Sequence, residues 1–330
     1  MSNYTPPYSI SDSMIELLSS ISEKVGGITS YKLLESKPHL RKNNRVRSIH
    51  SSLKIEANSL SLSEVRDVIN GKLVSGDQKE IQEVKNAYRA YEELKGIDTT
   101  SIKELKRIHG IMTDLTVEES GRFRKGNEGV FSGEKCIFMC PPPNMVPELM
   151  KDLFNWMKRS EGKVHPLIIG AVFHYEFVFI HPFSDGNGKM ARLWHTAILS
   201  RWREIFENIP LESQIEKYQQ EYYAAISKCH VNGDSNVFIE FMLDMINKEL
   251  DEVISQINSA NQGESEYVRR LLDVMEFDVP YTAATILSML GLSSKENLRK
   301  HYIDPALELG LIEMTIPDKP NSKNQRYVRR

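Results

Sequence analysis

The 330-residue chain carries 42 basic and 45 acidic side chains, for a net charge of −3, with 40% hydrophobic and 26% charged residues. That composition excludes collagen-like, low-complexity and small disulfide-stapled classes. The near-neutral charge excludes a global basic field that would gather nucleic acid or a membrane surface, and the length predicts about two domains.

The N-terminal stretch MSNYTPPYSISDSM has no charged start followed by an apolar run, so no signal peptide is expected there. Residues 1–50 read as polar and turn-rich, with one short helical pattern of Met14, Leu17, Leu18 and Ile21. The basic cluster Arg41, Lys42, Arg45 and Arg47 reads as a solvated face. Helical periodicity then predicts helices over 61–70, 78–94 and 101–115, punctuated by Gly71, Gly76 and Gly96. Residues 121–140 differ: four glycines interleave with Val130-Phe131 and Ile137-Phe138-Met139, a hairpin pattern closed by Pro141–Pro143.

Helices are expected again over 146–157, 166–180, 189–202, 212–229 and 237–257. The most apolar run, 167–180, is broken by His174 and Glu176 and falls short of the ~20 residues of a membrane span, so it reads as a buried core helix. Cys136, Cys140 and Cys229 lack a second pair at zinc spacing and read as free thiols in a reducing cytoplasm. A small, polar stretch at 258–266 reads as a linker. Beyond it, helices over 267–276 and 282–290, a third capped by Ser293 or Ser294 and ended by Gly310, and strands over 311–316 and 325–328 predict a winged helix-turn-helix.

The densest chemistry lies in His181-Pro182-Phe183-Ser184-Asp185-Gly186-Asn187-Gly188-Lys189-Met190-Ala191-Arg192. A long apolar helix ends at Ile180, and Pro182 turns the chain out of it, presenting His181 at the end of a rigid element. Gly186-Asn187-Gly188 enters the next helix, where backbone N–H groups and the helix N-terminus form an anion site. Met190, Leu193, Trp194, Ala197 and Ile198 form the apolar face of that helix, and Lys189 and Arg192 are i, i+3 neighbours on the other. Two cations thus stand over a phosphate-sized hole, with Asp185 beside it as a magnesium ligand. A nucleotide P-loop is excluded: position 183 is Phe where its first glycine belongs, and no Ser or Thr follows Lys189.

This string resembles the signature of the Fic family, H-x-F-x-[DE]-G-N-G-[RK]-x-x-R. Members of that family typically transfer AMP from ATP to a protein hydroxyl. The resemblance implies His181 as general base, Asp185 as ligand of the magnesium bridging the phosphates, Gly186, Asn187 and Gly188 lining the anion hole at the α-phosphate, and Lys189 and Arg192 holding the remaining phosphates. Where many members have arginine, this chain has Lys189, which keeps the charge and loses the planar fork. The hairpin at 121–140 is similar to the family's flap, which clamps an extended target segment by strand addition; Gly121-Arg122-Phe123-Arg124 and Pro141–Pro143 are its expected boundaries, and Val130 and Phe131 its candidate tip.

Upstream, Ser52 and Glu56 stand i, i+4 and share one helical face. Ser51-Ser52-Leu53-Lys54-Ile55-Glu56-Ala57-Asn58 resembles the family's inhibitory helix, [ST]-x-x-x-E-[GN], with Ala57 in the last place. The resemblance implies that Glu56 pairs with Arg192 and occupies the fork that receives the γ-phosphate. At the other end, residues 294–330 carry eight basic against five acidic side chains, so DNA is a candidate partner of 265–330 alongside a purely protein-docking role.

The expected protein is therefore mainly α: a helical Fic core with a β-hairpin flap, plus a C-terminal winged helix-turn-helix. Its expected parts are an N-terminal helical region at 1–100 with the inhibitory helix near 51–58, the core at 101–257 and the winged helix at 265–330. The expected function is a cytoplasmic protein adenylyltransferase moving AMP from Mg-ATP to a Ser, Thr or Tyr hydroxyl of a target protein, itself included. The alternatives are transfer of UMP, phosphate or phosphocholine at the same site, and a DNA-binding regulator with the core as scaffold. A second copy of the chain is a candidate partner; a membrane is not.

Overall fold

The computed structural model describes residues 4–30, 38–132, 135–259, 265–277, 279–320 and 322–329, with side chains for all of these except 30, 38–40, 130–132, 135–137 and 258–259. The chain divides into two compact units, Met1–Gly26 with Arg45–Leu250, and Gly27–Asn44 with Asp251–Arg330.

Helices dominate. The first, α1 (Asp12–Ser30), contains the short helical pattern of Met14, Leu17, Leu18 and Ile21, while α2 (Pro38–Ile55) begins in the region read from sequence as polar and turn-rich. The discrepancy has a physical cause: in α2 the buried Val46, Ile49 and Leu53 share the inward face with the equally buried polar Asn43, Asn44, Ser48, Ser51 and Ser52, so the short apolar stripe is diluted by polar residues. There follow α3 (Leu62–Ile69), α4 (Gln78–Glu92) and α5 (Ile102–Met112), close to their expected positions. Each starts at a side-chain cap: Ser61 in a capping box with Glu64, then Asp77, then Ser101.

The hairpin is present as β1 (Gly129–Ser132) and β2 (Lys135–Met139), antiparallel, with an irregularity in register between Val130 and Phe131. Then come α6 (Val146–Ser160), α7 (Pro166–Ile180) and α8 (Asn187–Trp202). Apolar around its whole circumference, α7 is buried accordingly. Phe173 on α7 meets Phe154 on α6 edge-on and stacks with Trp194 on α8; each such ring contributes roughly 1.5–3 kcal/mol by its burial. Two polar side chains of α7 lie in this core, and both are hydrogen-bonded. His174 bonds Tyr222 and His195, and Glu176 accepts from the Tyr4 hydroxyl at 2.9 Å. Burial pushes the Glu176 carboxyl up to about 7.

The helix expected over 212–229 is two, α9 (Leu211–Lys217) and α10 (Gln219–Asn232), separated at Tyr218, whose φ of −112° and ψ of 39° leave the helical region. No glycine or proline marks that break. The long α11 (Asn236–Ser259) completes the series. Among the described residues no helix is long and apolar enough to cross a membrane.

The second unit holds α12 (Glu266–Val274), α13 (Ala283–Met289), α14 (Lys295–Leu298) and α15 (Asp304–Glu308), the last two joined by a π-helical turn at Arg299–Ile303. Its strands β3 (Pro280–Tyr281), β4 (Ile312–Met314) and β5 (Tyr327–Arg329) form an antiparallel sheet in the order β3-β5-β4. This is the helix–helix–helix–hairpin order expected from sequence, with an added edge strand. Two residues opened by Pro280 gave that strand no pattern to read; proline is tolerated there because an edge position needs no ladder N–H. Val268, Leu271, Ile286, Leu298, Tyr302 and Ile312 form its own small core.

Candidate functional site

The site is built where α7 ends and α8 begins. His181 caps α7 with a left-handed backbone (φ 52°, ψ 61°) while its N–H still bonds the Phe177 carbonyl at 2.9 Å. A non-glycine residue in that region costs about 1–2 kcal/mol, so its surroundings must hold it. They do so through Arg124, whose Nε donates to the His181 carbonyl at 2.6 Å. Burial lowers the His181 imidazole below its ordinary value; the Val178 carbonyl and the Glu56 and Asp185 carboxylates oppose the shift, and the Arg124 charge adds to it. A neutral imidazole at pH 7, competent to take a proton, is the result.

Phe183 is fully buried, anchoring the loop between the helices. Its ring lies 3.6 Å from that of His109, the two nearly parallel. Residue His109, on α5, is one that the sequence reading passed over. Its Nδ1 accepts from the Gly121 N–H at 2.9 Å, which leaves Nε2 to donate to the Asp185 carbonyl at 3.0 Å. Burial pushes this imidazole down to about 4, so it stays neutral as a fixed strut. The Asp185 side chain is exposed, and its Oδ1 accepts from the Gly186 N–H at 2.6 Å.

Gly186 begins α8 with φ 77°, a conformation suited to glycine, and a Cβ there would press on Thr113 at 3.1 Å. The Asn187 side chain bonds Phe183 twice, accepting from its N–H at 2.9 Å and donating to its carbonyl at 2.7 Å. Asn187 therefore staples the loop; only its backbone N–H is left to face an anion. A Cβ at Gly188 would fall on Glu56 Oε1, so any side chain there would push the Glu56 carboxylate from its place.

The expected amphipathic division of α8 does not hold, since Lys189 and Arg192 are as buried as the apolar side. Both cations have carboxylate partners. Lys189 Nζ pairs with Glu83 Oε1, on α4, at 3.0 Å, and Asn58 Nδ2 holds the other Glu83 oxygen at 3.1 Å. Arg192 meets the last turn of α2: Nε donates to Ser52 Oγ at 3.1 Å, and Nη2 donates to the Ser52 carbonyl at 2.9 Å and to Glu56 Oε1 at 2.7 Å. Burial works against the guanidinium charge, but Glu56 with Tyr222 and Tyr91 outweighs it and holds Arg192 above its ordinary value.

After Glu56 the chain stops α2 in a Schellman arrangement, with the Asn58 N–H on the Leu53 carbonyl and the Ala57 N–H on that of Lys54. The left-handed position of that motif falls on Ala57, at φ 66°. This gives a physical meaning to glycine or asparagine in the corresponding motif position: both adopt that backbone more readily than alanine.

Asp185 alone offers a carboxylate to a metal; among the described residues no group of three or more His, Cys, Asp or Glu stands together as a metal cage. That fits magnesium, which is held by one or two carboxylates plus phosphates and waters rather than by an all-protein shell. Backbone atoms of Val130 and Phe131 lie in β1, while their side chains fall outside the described set, as does that of Cys136. Phe138 stacks on His230 at 3.9 Å and Met139 is exposed. Cys140 and Cys229 are buried and stand outside any disulfide.

Sequence reasoning thus located the loop and the Glu56 turn and missed Arg124, His109 and Glu83 as parts of the site. Arg124 stood only as a hairpin boundary, and a lone histidine or glutamate on a helix carries no spacing signal.

Residues 99–199 match the family described as Fic/DOC family, and residues 266–328 match the Fic-like C-terminal domain of filamentation-induced-by-cAMP proteins. A crystal structure of a Fic family protein from Desulfovibrio desulfuricans G20 is 38% identical, with a TM-score of 0.74 over 99% of this chain and 98% of that one. Fic-1 from C. elegans shares the fold at 23% identity, with a TM-score of 0.62 over 75% of this chain and 73% of that one. Among curated proteins, the protein adenylyltransferase Fic of Drosophila melanogaster is 27% identical over 284 residues, covering 81% of this chain and 54% of its own length. That of Culex quinquefasciatus is 28% identical over 216 residues, covering 62% of this chain and 41% of its own. The chain spans about half the length of these curated relatives.

Proposed function

Because the chain belongs to the Fic family, as its identity along nearly its whole length to a solved Fic protein shows, we propose that it is a protein adenylyltransferase held in check by its own α2. It moves AMP from Mg-ATP to a Ser, Thr or Tyr hydroxyl of a target protein or of itself. One observation carries the reading: the guanidinium of Arg192, at an anion-binding loop and helix N-terminus, is filled by Glu56 and Ser52.

The roles follow from chemistry. His181, neutral and carried on a backbone corner held by Arg124, accepts the proton of the attacking hydroxyl, a contribution of typically 10²–10⁴-fold. The hydroxyl oxygen bonds the α-phosphorus, the bond to the bridging oxygen breaks, and pyrophosphate leaves with that electron pair. Gly186, its own N–H held by Asp185, opens the loop, and the backbone N–H groups of Asn187 and Gly188 face the charge on the α-phosphate. Lys189 and Arg192 hold the β- and γ-phosphates. Asp185 would hold magnesium, whose charge, when bound, offsets that of the phosphates. Val130 and Phe131 belong to the strand that receives the target segment.

The brake is a matter of occupancy. A carboxylate on Arg192 fills the fork that the γ-phosphate needs, so ATP cannot take the reactive pose until α2 gives way. In functional terms the parts are 1–100 with the brake, 101–257 with the chemistry, and 265–330 as an accessory winged helix.

The test is intact-mass analysis of the Glu56→Gly protein after incubation with magnesium and ATP, UTP or CDP-choline in turn, with the modified hydroxyls then mapped. The mass of one AMP per modified site, from ATP alone, is expected. A phosphocholine or UMP adduct, or addition of a bare phosphate, overturns the assignment.

A further inference from the structure

Arg124 is a buried arginine, 3% exposed, whose side-chain hydrogen bonds among the described residues all go to backbone carbonyls. A charged guanidinium out of water is costly unless its donors are spent. Here they are spent on carbonyls from three separate stretches of chain. Nη1 donates to Gly126 at 2.8 Å, just before β1. Nη2 donates to Pro141 at 2.5 Å, just after β2, and to Ile180 at 3.4 Å. Nε donates to His181 at 2.6 Å, and the Arg124 backbone N–H donates to the Pro182 carbonyl at 3.0 Å.

Two of these carbonyls, Ile180 and His181, close the C-terminus of α7, where acceptors lack helical partners and the helix dipole favours a cation. The other two are the feet of the hairpin. A planar fork serves all of them at fixed angles; the single point charge of lysine cannot.

We propose that Arg124 is a positioning residue that fixes the hairpin to the backbone corner carrying His181, and so sets the distance between a target segment docked on the hairpin and the imidazole. This rests on the adenylyltransferase reading above. Arg124 touches neither the anion loop nor Lys189 or Arg192, so its loss should misplace the hydroxyl and leave the nucleotide alone. A displacement of about 1 Å costs on the order of 10²-fold in rate.

The experiment uses the full chain carrying Glu56→Gly, with and without Arg124→Gln or Arg124→Lys. Initial rates of label transfer from α-labelled ATP are measured across ATP concentrations, alongside binding of a non-hydrolysable ATP analogue and hydrogen exchange by mass spectrometry. For Arg124→Gln the expected maximal rate falls about 10²-fold, while half-saturation by ATP and analogue affinity stay within about twofold of the parent, a factor below 0.5 kcal/mol. Arg124→Lys should recover part of the rate. Peptides covering 126–129, 138–141 and 180–182 should lose protection together while those of α8 keep theirs.

An unchanged maximal rate overturns the proposal. So does a loss of ATP affinity in step with the rate, which marks a general structural role, or unchanged protection of the hairpin feet. Should Arg124→Gln fail to fold by circular dichroism, Arg124→Lys decides, since it keeps the charge on the carbonyls. If the Glu56→Gly parent transfers no AMP, the adenylyltransferase reading is what fails. Hydrogen exchange then still decides the tie: joint loosening upholds it and separate behaviour overturns it.

Discussion

Glu83 on α4 holds Lys189 Nζ at 3.0 Å, and both side chains are largely withdrawn from solvent. The lysine expected to meet phosphate is therefore neutralised by a partner at rest, as Arg192 is by Glu56. Asn58, two residues beyond Glu56, bonds the same Glu83, so the segment proposed as the brake touches both pairs. Glu83→Gln keeps an acceptor for Lys189 and removes the competing charge. Calorimetry with a non-hydrolysable ATP analogue, in the Glu56→Gly background, should show affinity rising by about 3- to 10-fold, within 1.4 kcal/mol. Equal or weaker binding would mean that Glu83 only places the lysine.

Ala57 offers a way to strengthen the proposed brake rather than break it. Its left-handed backbone, φ 66°, costs roughly 1 kcal/mol that glycine does not pay. Glycine also loses more freedom on folding, which offsets about half of that gain. Ala57→Gly should raise the melting temperature slightly and lower basal self-modification relative to the parent. A drop in melting temperature would contradict the reading of this turn.

Glu176 makes stability depend on pH. Burial raises its folded-state carboxyl from 4.5 to about 7. Between those values the folded chain keeps a proton that the unfolded chain releases, so this group's contribution is fully present below pH 4.5 and is lost as pH rises through 7. Glu176→Gln cannot ionise. Denaturation midpoints across pH 5–8 should therefore fall less steeply for the variant than for the parent, and the variant should gain relative stability at pH 8. Parallel curves would remove Glu176 as the cause.

The loop was legible because its residue types are dense and unusual: histidine before proline, a Gly-Asn-Gly turn, and two cations one helical turn apart. The apolar α7 was legible from length and composition, as was the hairpin from its glycines. Much of what escaped depends on burying polar groups. The inward face of α2 mixes Val46, Ile49 and Leu53 with buried serine and asparagine, and the polar part of that face is invisible to a hydrophobic pattern. Tyr218 breaks a helix with no breaker residue. His109 and Arg124 gain their roles only because folding brings Gly121, Asp185, Pro141 and His181 to them. Asn187 shows the same limit in reverse, since its motif position is plain while its side chain serves the loop.

The central claim is that Glu56, by filling the Arg192 fork, restrains AMP transfer that depends on His181. The direct measurement is self-modification with α-labelled and γ-labelled ATP, run in parallel on the parent, Glu56→Gly and Glu56→Gly/His181→Ala. The account predicts α-label rising at least about tenfold in Glu56→Gly, the equivalent of about 1.4 kcal/mol at the reactive pose, with no γ-label and neither label in the double variant. Equal α-labelling of parent and Glu56→Gly, or γ-label without α-label, would contradict it.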